Sequence, residues 1–284
     1  MRATLKKQLP RISPGDLKIV PLERAETIPS TWYADPGFHA FDQEVIFSQT
    51  WQNIGHLSRL PNPGDQIVAT VAGNPILAVR GQDSVVRSFY NVCRHRGGPL
   101  ALEDCNSKVL QCKYHGWTYL LDGSLRGTPR FDRTELFDKK DYGLVPVTLD
   151  TWESLLFVKL SKNNTDLGKV FEGIKQRIAP HYSLANMKFY RRVVYPVQCN
   201  WKVYVDNYLE GYHLPFVHPE LCNLLDYQNY VTETFEYSSL QHSPIRQTES
   251  PYGGGEGPAY YFFVWPNFML NILPGRVQPN VVCP

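Results

Sequence analysis

Two short segments constrain this chain more than any other feature: Cys93-Arg94-His95-Arg96-Gly97-Gly98-Pro99, and, after sixteen intervening residues counted from His95, Cys112-Lys113-Tyr114-His115-Gly116-Trp117. Each segment offers one thiol and one imidazole from a single tight loop. A fold that brings the two loops together gathers four metal-binding side chains, and the chain between them must return as a compact β-turn structure. Zinc fingers generally place their cysteine pair first and their histidine pair later, so the interleaved Cys-His order argues against a zinc site. The bland alternative is two incidental Cys-His pairs.

The remaining composition sets the frame. A chain of 284 residues, 43% hydrophobic and 20% charged, is globular and long enough for one large or two moderate domains. Its 29 basic and 27 acidic residues are interspersed and sum to +2, which points to neither a nucleic acid nor an anionic membrane as partner. The amino terminus, MRATLKKQLPRISPGDLK, has no apolar run of the kind a secretory signal carries, and no stretch approaches about 18 apolar residues. A soluble cytoplasmic protein is expected. Six cysteines, at 93, 105, 112, 199, 222 and 283, are too few and too dispersed for the disulfide framework of a small secreted domain, so reduced thiols are expected.

Along the chain, residues 1–40 read as an irregular arm broken by Pro10, Pro14, Pro21, Pro29 and Pro36. A short helix is expected over Phe41 to Gln49. Alternating strands follow at Gln66 to Val71, Ile76 to Arg80, Val85 to Asn91, Trp117 to Leu121, Leu144 to Leu149 and Leu155 to Leu160. This predicts an all-β module over 41–160. A polar linker at 161–165 then leads to a helical spacing from Asp166 to Ile178, a strand from Phe189 to Val197, and a helix from the N-cap Asn200 to about Tyr212. More strands are expected at Tyr227 to Tyr237, Ala259 to Trp265 and Phe268 to Leu273, so a second, α+β domain spans 161–284.

That second domain carries a second histidine pair, spaced Glu210-x2-His213-x4-His218. Glu210 and His213, three apart, would share a helix face, and Pro215 requires a loop to deliver His218. Two imidazoles and a carboxylate with open positions describe the facial triad of non-haem Fe(II) oxygenases.

Taken together, the motifs resemble those of Rieske non-haem iron oxygenase α-subunits, the ring-hydroxylating oxygenase family, from about residue 30 onward. The resemblance implies a Rieske 2Fe-2S cluster with Cys93 and Cys112 on one iron and His95 and His115 on the other; the imidazoles favour the reduced state and lift the potential to about −150 to +300 mV. Gly97, Gly98, Gly116 and Pro99 suit loops whose backbone approaches the sulfides closely. Respiratory Rieske proteins carry two extra cysteines where this chain has Gly98 and Tyr114, which points to the oxygenase or ferredoxin branch, and a pure carrier would stop near residue 160. The implied fold is an all-β Rieske domain followed by a partial helix-grip (START/Bet v1-like) catalytic domain, with His213 and His218 holding Fe(II). By the same resemblance Glu210 bridges the cluster of one subunit to the iron of its neighbour, a homotrimer takes electrons from an NAD(P)H-dependent reductase, and O2 is activated beside a small-molecule substrate. Asp206 and Asn207 are candidates to support the iron-binding side chains from behind, with helix capping or surface exposure as the alternative.

Asp-Asn-Tyr-Leu-Glu followed by Tyr-His looks like the branch containing choline, glycine betaine and carnitine monooxygenases, which implies a quaternary ammonium substrate. Tyr204, Tyr208, Tyr212, Phe216, Tyr261, Phe263 and Trp265 offer aromatic faces for such a cation, or simply fill the core. The family's third iron ligand is an Asp on a later helix that these 284 residues do not reach, and none of Glu220, Asp226, Glu233, Glu236, Glu249 and Glu256 has a matching context. The expectation is a chain incomplete at its C-terminus that loads the cluster but holds mononuclear iron weakly. Two other readings stay open: an aromatic ring-hydroxylating dioxygenase subunit, and a truncated, inactive electron-transfer protein.

Overall fold

The structure is a computed structural model that describes residues 10–185, 187–246 and 257–284. It divides into two compact units, one of residues 48–193 with 236–238, the other of residues up to Phe47 with 194–235 and 239–284. This differs from cuts at 40 and 160. Just beyond residue 160 the chain is tied to the first unit by buried Lys159, which donates to the carbonyls of Asn163 and Thr165 and lies 4.8 Å from the Trp51 ring centroid.

The first unit is built from β1 (Gln52–His56), β2 (Asp65–Val71), β3 (Asn74–Arg80), β4 (Val86–Tyr90), β5 (Cys105–Asn106), β6 (Leu110–Gln111), β7 (Thr118–Tyr119), β8 (Leu125–Gly127), β9 (Pro146–Trp152) and β10 (Leu155–Lys159). Seven strands form one antiparallel sheet in the order β1-β10-β9-β4-β3-β2-β5, and β6, β7 and β8 form a second, small sheet. Strand β3 shows why the sheet sits centrally. Its Ile76 and Ala78 pack into one apolar cluster with Ile54, Ile67 and Leu156, whereas Leu77 and Val79 face another with Phe89, Cys93, Cys112 and Trp117. The period-two alternation of a strand thus serves two cores, and the second core contains both cysteines.

The second unit contains a five-stranded sheet, β11 (Val231–Thr234), β12 (Ser238–Ser243), β13 (Ala259–Val264), β14 (Phe268–Leu273) and β15 (Arg276–Val281), in sequence order across it. Its helices are short: Thr31–Ala34, Pro36–Phe41, Trp201–Tyr208, Leu214–Val217 and Pro219–Leu224.

Several elements depart from the sequence expectation. The segment 10–40 contains helical turns, and the helix expected over 41–49 runs instead over Pro36–Phe41, where Asp35 caps it, and continues as a wider turn to Phe47. The amphipathic stretch after Asp166 buries Leu167, Val170, Phe171, Ile174 and Ile178 as the spacing demands, yet it breaks into Leu167–Val170 and Ile174–Ile178 because Gly173 sits at φ 79°. No strand forms over 189–197. That segment has no regular structure and is paired into none of the three sheets, and Tyr190, Val194 and Tyr195 are exposed. The Tyr227 to Tyr237 strand shortens to β11 after a 3-10 turn at Tyr227–Asn229. The helix from Asn200 ends at Tyr208, four residues earlier than expected, so Glu210 is not on a helix face.

Candidate iron-binding sites

The two Cys-His segments fold into the same loop twice. Cys93 N–H donates to Gly98 O and Gly97 N–H to Cys93 O; Cys112 N–H donates to Trp117 O and Gly116 N–H to Cys112 O, all between 2.8 and 3.0 Å. Each loop turns on a glycine at positive φ, 73° at Gly97 and 74° at Gly116, a conformation that penalises any Cβ. The cysteines are buried and the rings of His95 and His115 lie 4.6 Å apart between centroids. Burial holds the Cys93 thiol above its ordinary value. It holds the His95 imidazole below its own, and His115 and Arg96 add to that.

Three observations test whether a cluster fits these residues. His95 Nδ1 is buried and has no hydrogen-bond partner, a cost that a metal bond removes. A Cβ at Gly98 would stand 2.8 Å from Cys112 Sγ, so the sulfur's surroundings leave no room for a side chain there. Among the described residues no three His, Cys, Asp or Glu side chains converge on one point. A two-iron cluster needs only two protein ligands on each iron. The residues fit a mixed-ligand 2Fe-2S cluster.

The surroundings include residues that the motif alone did not single out. Tyr119, fully buried, places its hydroxyl 3.3 Å from Cys93 Sγ and accepts from Arg94 N–H at 2.9 Å. Asn91 holds the far end of the first loop, accepting from the N–H groups of Leu100 and Ala101 and donating to Ala101 O. Trp117 stacks on His95 at 4.9 Å and is itself packed edge-on by Phe131 and Tyr142. The alternation after His115, with Trp117 and Tyr119 on one face, was the available signal for these contacts.

In the second unit, Asn200 caps the helix Trp201–Tyr208 by accepting from Lys202 N–H at 3.0 Å, and the chain then uncoils through Leu209 to Glu210. The Glu210 carboxylate receives His213 Nδ1–H at 2.5 Å and the backbone N–H of Tyr212. Partial burial pushes the Glu210 carboxyl up, but the hydrogen bonds from His213 and Tyr212 outweigh it and hold the group below its usual range. With Nδ1 committed to Glu210, the His213 ring keeps Nε2 for a metal, the arrangement in which a carboxylate orients a metal-binding imidazole from behind. His218, between the short helices Leu214–Val217 and Pro219–Leu224, sets its ring 5.3 Å from that of His213.

Both histidines and Glu210 line a cavity of about 210 Å³, whose walls include Tyr208, Tyr230 and Tyr261. The Tyr208 hydroxyl lies 2.6 Å from Asn271 Oδ1, and Tyr230 donates to Gln241 Oε1 at 2.9 Å; burial holds both phenols above their ordinary value. Of the seven aromatic residues considered for cation binding, only Tyr208 and Tyr261 reach this cavity. Phe263 is buried in the core, and Tyr204, Tyr212, Phe216 and Trp265 are exposed. Tyr230 was not anticipated. As to a third ligand, Asp226 pairs with Arg246, Glu233 with His242 and Glu236 with Lys169, and Glu220 is exposed; Glu249 and Glu256 lie outside the described residues.

Comparison with known proteins places the chain in one family. Residues 50–146 match the family described as Rieske [2Fe-2S] domain, and residues 184–284 match ring hydroxylating alpha subunit (catalytic domain). The carnitine monooxygenase oxygenase subunit of Acinetobacter baumannii is 34% identical over 264 residues, covering 91% of this chain and 71% of the relative. The chloroplastic choline monooxygenase of Arabidopsis thaliana is 32% identical, covering 93% of this chain and 66% of the relative. A crystal structure of the quaternary ammonium Rieske monooxygenase CntA superposes with a TM-score of 0.80 at 32% identity, over 87% of this chain and 68% of that one. The chain belongs to the Rieske non-haem iron oxygenase α-subunit family. It is an oxidoreductase of the monooxygenase type, whose cofactors are a Rieske 2Fe-2S cluster and a mononuclear iron. No helix, among the described residues, is long and apolar enough to cross a membrane.

Proposed function

We propose that this chain is a terminal oxygenase component that hydroxylates and oxidatively demethylates a small quaternary ammonium compound, working as a cytoplasmic homotrimer fed by an NAD(P)H-dependent reductase. Cys93 and Cys112 hold one iron of the cluster, His95 and His115 the other, and His213 and His218 hold Fe(II). The observation that carries the substrate reading is the cavity beside His213 and His218. Its described lining presents the rings of Tyr208, Tyr230 and Tyr261 and the carboxylate of Glu210, and no Lys or Arg. Phenol rings and a carboxylate attract a methylated ammonium group. The relatives named for carnitine and choline support the same class.

When bound, the cluster relays single electrons and the mononuclear iron activates O2. The chain's own residues supply the rest. Glu210 fixes the His213 proton on Nδ1, keeping Nε2 free for metal, and is the carboxylate that couples the cluster of one subunit to the iron of its neighbour. Tyr208, Tyr230 and Tyr261 orient the cation, while Leu214, Leu221 and Leu225 keep water from the reacting carbon. Oxygen inserted at a C–H beside nitrogen leaves a hemiaminal, which collapses to an aldehyde and a dealkylated amine.

Oxygen uptake with a suitable reductase, comparing choline, carnitine and glycine betaine with aromatic acids, tests this reading. Uptake coupled to aldehyde release from a quaternary ammonium compound is expected; uptake with aromatic acids alone refutes it.

A further inference from the structure

The helix Trp201–Tyr208 is only eight residues long, and an isolated helix of two turns does not hold itself together in water. Its position is therefore set by what grips it. At its start, buried Asp42 accepts from Trp201 Nε1 at 2.8 Å and pairs with Lys202, whose ammonium also reaches Trp32 O at 3.2 Å. Asn200 Nδ2 donates to Tyr33 O at 3.0 Å, and Phe47 packs edge-on against Trp201 at 4.9 Å. All these partners come from residues 32–47, a segment that lies far from the iron motif in sequence.

The other end is held differently. Asp206 sits in the last helical turn, where a carboxylate faces the negative end of the helix dipole and is electrostatically misplaced. There it accepts from the Tyr33 hydroxyl at 2.5 Å. Burial and this contact push the Tyr33 phenol up to about 12, so it remains a donor at every working pH. On the cavity side the same turn is held by Gln241 Nε2, which donates to Tyr208 O at 2.6 Å. Two residues after that turn comes Glu210, whose carboxylate must meet His213 Nδ1 within hydrogen-bond distance.

We propose that Tyr33 is a positioning residue for the iron site: by holding Asp206 it fixes where the helix ends, and so where Glu210 grips His213, without touching either. This rests on His213 and His218 being the iron-binding pair.

The test uses Tyr33→Phe, Asp206→Ala and the double variant. In the metal-free protein with 15N-labelled histidine, the His213 Nδ1 proton held by Glu210 gives a downfield signal. Tyr33→Phe is expected to broaden or shift it while the His56 and His242 signals stay in place. In Fe(II) titrations each single variant is expected to weaken binding about fivefold, the scale of one hydrogen bond to a charged group, and the double variant no further. An unchanged His213 signal in Tyr33→Phe, additive losses in the double variant, or a collapse of all three histidine signals together overturns the proposal. If the unaltered protein binds no Fe(II), the iron-site reading fails, and the His213 signal alone still decides the role of Tyr33.

Discussion

Removing the Tyr119 hydroxyl should lower the potential of the cluster. Arg94 N–H occupies one side of that oxygen at 2.9 Å, so the phenolic hydrogen is left to point at Cys93 Sγ, 3.3 Å away. With Cys93 as an iron ligand, the sulfur carries more negative charge after reduction, and the hydrogen bond strengthens in the reduced state. If that difference is about 0.5–1.5 kcal/mol, the usual net worth of one hydrogen bond, then at 59 mV per factor of ten for a one-electron couple Tyr119→Phe lowers the potential by roughly 20–60 mV. The change also leaves Arg94 N–H without its acceptor in a part-buried loop, costing about 1–3 kcal/mol of stability. A spectroscopic redox titration of the reconstituted variant measures the first effect and thermal unfolding the second. A fully loaded Tyr119→Phe cluster whose potential is unchanged or raised would refute the reasoning.

Other outcomes follow from the same geometry. Gly98→Ala places a methyl group 2.8 Å from Cys112 Sγ and should sharply lower the cluster content of reconstituted protein, read from its visible absorbance per chain. Asp42→Ala strands the buried Lys202 ammonium and the Trp201 indole N–H, and should cost the second unit about 3–5 kcal/mol in denaturant unfolding. His56 Nδ1 accepts from Ser58 N–H at 3.1 Å and lies 2.9 Å from the Ser58 hydroxyl, which in turn accepts from Phe189 N–H. Burial lowers its pKa below the ordinary 6.5, so the unfolded chain takes up the proton first. The stability this neutral ring supports is therefore present above pH 6.5 and lost as pH falls through the lower folded value. Unfolding of the metal-free protein followed from pH 8 to 5 should show that decline, and His56→Gln should flatten it.

Much of this architecture is legible in the sequence because local chemistry dictates it. Asn200 caps its helix as its side chain allows, and the strand over Phe268–Leu273 has the predicted limits, since Pro266-Asn267 and Pro274-Gly275 bound its apolar run on both sides. The Cys-His loops are legible for a stronger reason: few structures need that residue order. What was not legible depends on distant partners. The β-branched and aromatic run at 189–197 has strand propensity, but a strand exists only when another backbone pairs with it. Gly173 ends a helix whose apolar spacing runs on past it, because one left-handed residue overrides a periodic pattern. The aromatic residues near His213 share one composition yet divide between cavity, core and surface, and only tertiary packing decides which ring goes where. Tyr33 and Asp42 lie over 150 residues from the helix they hold, as the separations of 173 and 160 residues to Asp206 and Lys202 show, and no periodicity reports such contacts.

The mixed-ligand cluster is the claim on which the electron path depends, and electron spin-echo spectroscopy of reduced protein reconstituted with 15N-histidine tests it most directly. The proposed ligand set predicts two strongly coupled histidine nitrogens, one lost in each of His95→Cys and His115→Cys. A reduced cluster with no coupled histidine nitrogen, or no cluster at all after anaerobic reconstitution, would contradict it.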